Sequence, residues 1–130
     1  MTNLQKSYKE DLMVYITTIE AAMTKTVDQT NGENISCVLN ERVSLLSICP
    51  RMMGLAVLLY DEMKGEVALE AMLNENLIKA KDSLQRLYLQ GKLAEWNALY
   101  VRSERCQKDL DKSIEGLRSL LSYDKSMKQL

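Results

Sequence analysis

Across the first thirty residues Leu4, Tyr8, Leu12, Tyr15, Ile19, Met23 and Thr26 recur at intervals of three or four. That spacing gathers them on one side of a helix, so a first helix is expected over about residues 3–30. Asn31-Gly32 should end it, because glycine accepts the left-handed conformation at a helix C-terminus. A short second helix should follow from Asn34, a good N-cap, to about Ser47. Pro50 lacks an N–H and drives Cys49 away from the α region. Proline is welcome in the first turn of a helix, so a third helix should begin there.

The longest pattern comes next. Ala56, Leu59, Met63, Glu66, Glu70, Leu73, Leu77, Ala80, Leu84 and Leu87 keep heptad spacing, and eight of these ten are apolar. They predict a third helix from Pro50 to Leu89. Leu93, Trp96, Tyr100, Ser103, Gln107, Leu110, Ile114, Leu117 and Leu121 predict a fourth, from Leu93 to Met127. A period of 3.5 with charged flanks is the coiled-coil pattern. Only Gln90-Gly91-Lys92 separates the two, which makes Gly91 the expected hairpin turn.

The expected fold class is therefore all-α. One helical domain spans 1–130, with N-terminal helices in 1–47 packed on a long antiparallel, coiled-coil-like hairpin over 50–128 that turns at 90–92. Facing residues would then carry numbers adding to about 182. That register sets Leu87 against Leu93 and Trp96, Leu84 against Tyr100, Glu70 beside Lys112 and Glu66 near Arg118.

Composition agrees with helix: Phe is absent, Pro occurs once, and 46% of residues are hydrophobic. There is no histidine, which removes the usual general base and the commonest metal ligand. Glu62, Glu66 and Glu70 form an i, i+4, i+8 ladder but lack the histidines that complete a di-metal site in a bundle. No catalytic residue, cofactor or metal is expected, and the chain reads as a non-enzyme. Cys37, Cys49 and Cys106 lack metal-ligand or framework spacing and read as free thiols of a reducing compartment. The charged N-terminal segment has no apolar core like that of a signal peptide. The longest apolar run, Met52–Tyr60, is short of a membrane span, so the expectation is a cytoplasmic protein with no membrane contact.

Charge divides the chain. Residues 1–78 hold 6 Lys/Arg and 11 Asp/Glu, net −5, and residues 79–130 hold 11 Lys/Arg and 7 Asp/Glu, net +4. The basic half contains the candidate nucleic-acid-binding residues Lys79, Lys81, Arg86, Lys92, Arg102, Arg105, Lys108 and Lys112. Cations so grouped can neutralise phosphates without reading sequence, although Glu104, Asp109 and Asp111 interleave with them. A second use of the surface is protein binding, with the methionine-rich face of the first and third helices as an adaptable contact. The spacing of Trp96 and Tyr100 favours buried packing over base stacking.

The layout of ICPRMMGLAVLLYDEMKGEVALEAML, then LQRLYLQGK, then AEWNALYVRSERCQKDLDKSIEGLRSLLSYDKSM resembles phage recombination-mediator proteins of the UvsY type. Pro50, Tyr88, Gly91, Lys92, Glu95, Leu117, Arg118 and Ser122 carry the likeness, which covers about residues 48–127. The resemblance implies a homo-oligomer that binds single-stranded DNA and helps load a recombinase in the cytoplasm of a bacterial host. Two functions follow as expectations. One is an oligomeric, phage-type accessory protein binding single-stranded nucleic acid or recombination proteins. The alternative is a protein-interaction module (inhibitor, chaperone, assembly adaptor or virion component) with no nucleic-acid binding.

Overall fold

A computed structural model describes residues 1–129 and is all-α, with no strand among them. Helix α1 spans Asn3–Met23, α2 Gly32–Leu45, α3 Cys49–Met72, α4 Glu75–Ile78 and α5 Asp82–Lys128. A 3-10 turn, Leu46–Ile48, joins α2 to α3 without a loop, and Pro50 occupies the first turn of α3 as its missing N–H requires.

Helix α1 starts at a capping box. The Gln5 N–H donates to Thr2 Oγ1 at 3.1 Å, and Gln5 Oε1 accepts from the Thr2 N–H at 3.0 Å. The helix ends at Met23, about two turns before the expected Asn31-Gly32 stop. Asn31 instead caps the start of α2, accepting from the Glu33 and Asn34 N–H groups at 3.0 and 3.3 Å. Asn34, the expected cap, lies inside α2 and accepts from the Asp28 N–H at 2.8 Å, holding the preceding loop.

The antiparallel hairpin is present, but its turn is not at Gly91. Residues 90–92 lie within α5, a single helix of 47 residues. The chain reverses between Leu73 and Lys81, around the four-residue α4. Pairs across the hairpin have numbers adding to about 160: the Tyr60 and Tyr100 rings are 6.4 Å apart, the Tyr88 hydroxyl donates to Glu70 Oε1 at 2.9 Å, and Cys49 lies near Asp111. The same relation extends into α2, where Arg42 meets Ser113. So α2 and α3 together form one arm and α5 the other.

Two local features move the turn. Asn74 caps α4 by accepting from the Leu77 N–H at 3.1 Å. Gln85 then reaches back from α5, its Nε2 lying 3.0, 3.2 and 3.2 Å from the carbonyl oxygens of Leu77, Ile78 and Ala80. Gly91 has no left-handed backbone, and a Cβ placed there would meet nothing within 4 Å. A glycine inside a helix costs about 1 kcal/mol relative to alanine. The burial of Leu93 and Trp96 just beyond it carries the helix through.

The expected pairings around Gly91 are therefore replaced. Leu84 and Tyr100 belong to one helix. Glu70 pairs with Lys92, at 3.7 Å, rather than Lys112. Glu66 accepts from Gln5 Nε2 at 2.9 Å rather than meeting Arg118.

The main core lies where α1 fills the groove between α3 and α5. Leu12, Ile16, Ile19, Met52, Leu59 and Leu110 are fully buried there. A second cluster, Ile35, Val38 and Leu117, seals α2 on the C-terminal half of α5. Arg42, only 7% exposed, bridges them. It donates to Ser113 Oγ and to the Lys25 carbonyl at 3.2 Å, tying the end of α1 to the hairpin. The helical stretch Gly32–Met72 is, by length and composition, apolar enough to cross a membrane, although its longest unbroken apolar run is short. Its Met52, Leu55, Ala56 and Leu59 belong to the main core.

Candidate interaction surface

The eight candidate cations do not form one patch. Lys79 and Lys81 follow α4, while Arg86 sits in the second turn of α5. Lys112 is 26 residues beyond Arg86 on the same helix, about 39 Å at 1.5 Å per residue.

Two of the eight are engaged by carboxylates. Lys92 pairs with Glu70 at 3.7 Å and lies 5.6 Å from the centre of the Tyr88 ring. Arg102 grips Glu20 of α1 with two donors, Nε at 2.9 Å and Nη2 closer. The guanidinium holds the Glu20 carboxyl below its ordinary value of 4.5, chiefly by hydrogen bonding. Lys79, Lys81, Arg86, Arg105, Lys108 and Lys112 are exposed and have no ion pair among the described residues. Arg105, Lys108 and Lys112 line one shallow depression on α5 together with Glu104 and Asp109. Acidic neighbours there reduce the field that a phosphate backbone would meet.

Trp96 is 6% exposed, with Lys9 Nζ 5.3 Å from its ring centre, so it packs in the core as its spacing predicted. The methionine-rich face is largely interior too: Met52 is fully buried, Met13, Met23, Met53 and Met63 are half-buried, and Met72 is 70% exposed. Cys49 and Cys106 are buried, and desolvation raises both thiols above their ordinary value of 9.0. Each stays a neutral thiol near pH 7, unsuited to nucleophilic or metal chemistry.

The pattern of exposed apolar residues was not foreseen. Leu69, Met72, Leu73, Ile78, Leu84 and Leu87 are 54–77% exposed, and all lie at the hairpin tip. For Leu69 and Leu73 the cause is the length of α1. Gln5 donates to Glu62 and Glu66 at 3.0 and 2.9 Å, which marks where the first turn of α1 lies against α3. Leu69 and Leu73 continue the same helical face by one and two turns, beyond the point where α1 begins. Beside them an apolar hollow of about 250 Å³ is lined by Ala71, Met72, Leu77, Ile78, Gln85 and Leu89. No sequence signal separated these leucines from core leucines, because a heptad seam looks the same whether or not a third helix covers it.

No protein-family model, curated protein or solved structure matches the chain. The functional reading therefore rests on the surface itself.

Proposed function

We propose that this protein is a non-catalytic helical interaction module that binds another protein at the tip of its hairpin. The observation that carries the reading is the bare apolar tip, where Leu69 and Leu73 extend the track of α1 past its end and the adjoining hollow is almost free of polar groups. Soluble monomers rarely leave several hundred Å² of contiguous apolar surface uncovered. The partner that fits is an amphipathic helix laid in line with α1, presenting apolar residues at i, i+3, i+4 and i+7. The absence of histidine and the neutral buried thiols are consistent with binding rather than catalysis. Selection from a displayed library of amphipathic helical peptides, with Leu69→Glu/Leu73→Glu as the counter-selection, tests this. Peptides that bind the natural chain and not the double variant are expected. A selection that yields none, or peptides indifferent to the two changes, rejects the reading.

A second reading, sequence-independent binding of single-stranded nucleic acid, has one observation in its favour. Lys79, Lys81 and Arg86 crowd the tip without carboxylate partners among the described residues. It is this reading that the likeness to recombination mediators would join. Fluorescence anisotropy with a short oligonucleotide at two salt concentrations decides it, since phosphate neutralisation makes affinity fall steeply with salt.

A further inference from the structure

Helix α5 carries two apolar stripes. The inner one, through Leu93, Trp96, Leu99, Ser103 and Cys106, is buried against the rest of the fold. The outer one runs through Leu84, Leu87, Gly91, Ala94, Ala98 and Val101, and every one of these residues is exposed. Their spacing is 3, 4, 3, 4, 3, the alternation that forms a coiled-coil seam. None is charged or polar. An open groove of about 840 Å³ adjoins the second half of this stripe, between it and Tyr60 of α3, with Ala94, Ala98 and Val101 in its lining. A Cβ at Gly91 would meet nothing within 4 Å, so the middle of the seam lets another backbone approach closely.

We propose that the occupant is a second copy of this chain, packed antiparallel along the outer seam of α5 about a two-fold axis between Gly91 and Ala94. Antiparallel coiled coils set each a position against a d position. Here that places Leu84 on Val101 of the second copy, Leu87 on Ala98, and Gly91 on Ala94, with the larger leucine facing the smaller alanine. Such self-complementarity is what an isologous interface requires.

Charge selects the direction. The same seam continues with Arg105, Lys108 and Lys112, so parallel pairing would stack three cations on their own copies. Antiparallel pairing, with facing numbers adding to 185, separates them and carries each stripe out to the other copy's hairpin tip, level with residues 73–80. The seam is about 25 Å long at 1.5 Å per residue, with Leu84, Leu87 and Val101 54%, 63% and 41% exposed.

Light scattering on the whole chain at about 100 μM, well above the dissociation constants typical of specific interfaces, should give twice the 14.9 kDa chain mass. Ala94→Glu and Ala98→Glu alter exposed helical positions. Both variants should keep the helical circular-dichroism spectrum and return the mass to that of one chain. Orientation is read by mixing Leu84→Cys chains with Val101→Cys chains, both in a Cys37→Ser background. Mixed disulfides between the two should dominate. A natural chain that scatters as a monomer, an assembly unaffected by both glutamates, or a preference for Leu84→Cys chains to link to each other would overturn the proposal. The tip variant Leu69→Glu/Leu73→Glu should remain a dimer, which keeps this result separate from that of the peptide selection.

Discussion

The side-chain amide of Gln85 lies 3.0 Å from the carbonyl oxygen of Leu77, across the reversal that joins the two arms of the hairpin. The same nitrogen reaches the carbonyls of Ile78 and Ala80, so one side chain gathers three acceptors at and just beyond the end of a four-residue helix, of which the Leu77 oxygen also accepts from the Ala80 N–H at 3.0 Å. The last carbonyls of a helix lack a full set of internal partners. Gln85→Ala should therefore destabilise the fold by about 1 kcal/mol. Hydrogen exchange should locate the effect, with amides of residues 77–84 losing protection while those of α2 do not change.

Gly91 yields a prediction whose sign separates two architectures. If the chain turned there with φ above zero, a side chain would be strained. Inside α5 with open space at the Cβ position, Gly91→Ala should stabilise by up to about 1 kcal/mol. Thermal melts at low micromolar concentration, where single chains dominate, check it. A lowered Tm would restore the turn to residues 90–92.

Leu110 and Leu77 both sit in the heptad pattern, but they should behave differently. Leu110 is fully buried, so Leu110→Asp should cost more than about 3 kcal/mol and leave little folded chain. Leu77 belongs to α4 at the half-exposed tip, and Leu77→Asp should cost no more than about 1 kcal/mol. Urea titrations of the two variants measure the difference.

Acid should uncouple α1 from α5. The folded-state pKa of Glu20 is depressed by its bonds to Arg102. A depressed carboxylate contributes stability that is fully present above its unfolded value, 4.5, and is lost as pH falls through the lower folded value. The two side chains are 40% and 41% exposed, so solvent limits the contribution to less than about 1 kcal/mol. The stability gap between the natural chain and Glu20→Gln should be constant well above pH 4.5 and narrow as the pH falls below it. A gap that does not narrow on acidification would contradict this.

The all-α class, the place of Pro50 in the first turn of α3 and most of the α5 core were legible in the sequence, but Cys49 keeps helical dihedrals rather than leaving the α region. Leu93, Trp96, Ser103, Leu110, Ile114 and Leu117 are all buried as their spacing predicted. The turn was not, and the reason is geometric. Residue 80, where the arms reverse, precedes Gly91 by 11 residues, and 11 residues make three helical turns. A shift of that length leaves each side chain pointing nearly the same way. The apolar pattern alone fits both registers, and glycine outweighed the quieter signals of Asn74 and Gln85. The candidate cations were legible as a list but not as a surface, because pairing with Glu20 and Glu70 depends on which helices meet. The bare tip was hidden for the same reason, since it depends on where α1 starts along the hairpin.

The unbroken length of α5 constrains how this gene can change. One helix fastens α2 near its far end, grips α1 through Arg102 and clasps the tip through Gln85, so deleting a single codon midway would swing one set of grips about 100° around the axis relative to the other. Drift by insertion is open only in steps of 7 or 11 codons, which restore the facing. Each step also demands a matching one in the opposite arm. Length variation among descendants should therefore gather in the loop at residues 24–31 and around α4, while the span from Leu93 to Leu117 keeps its count.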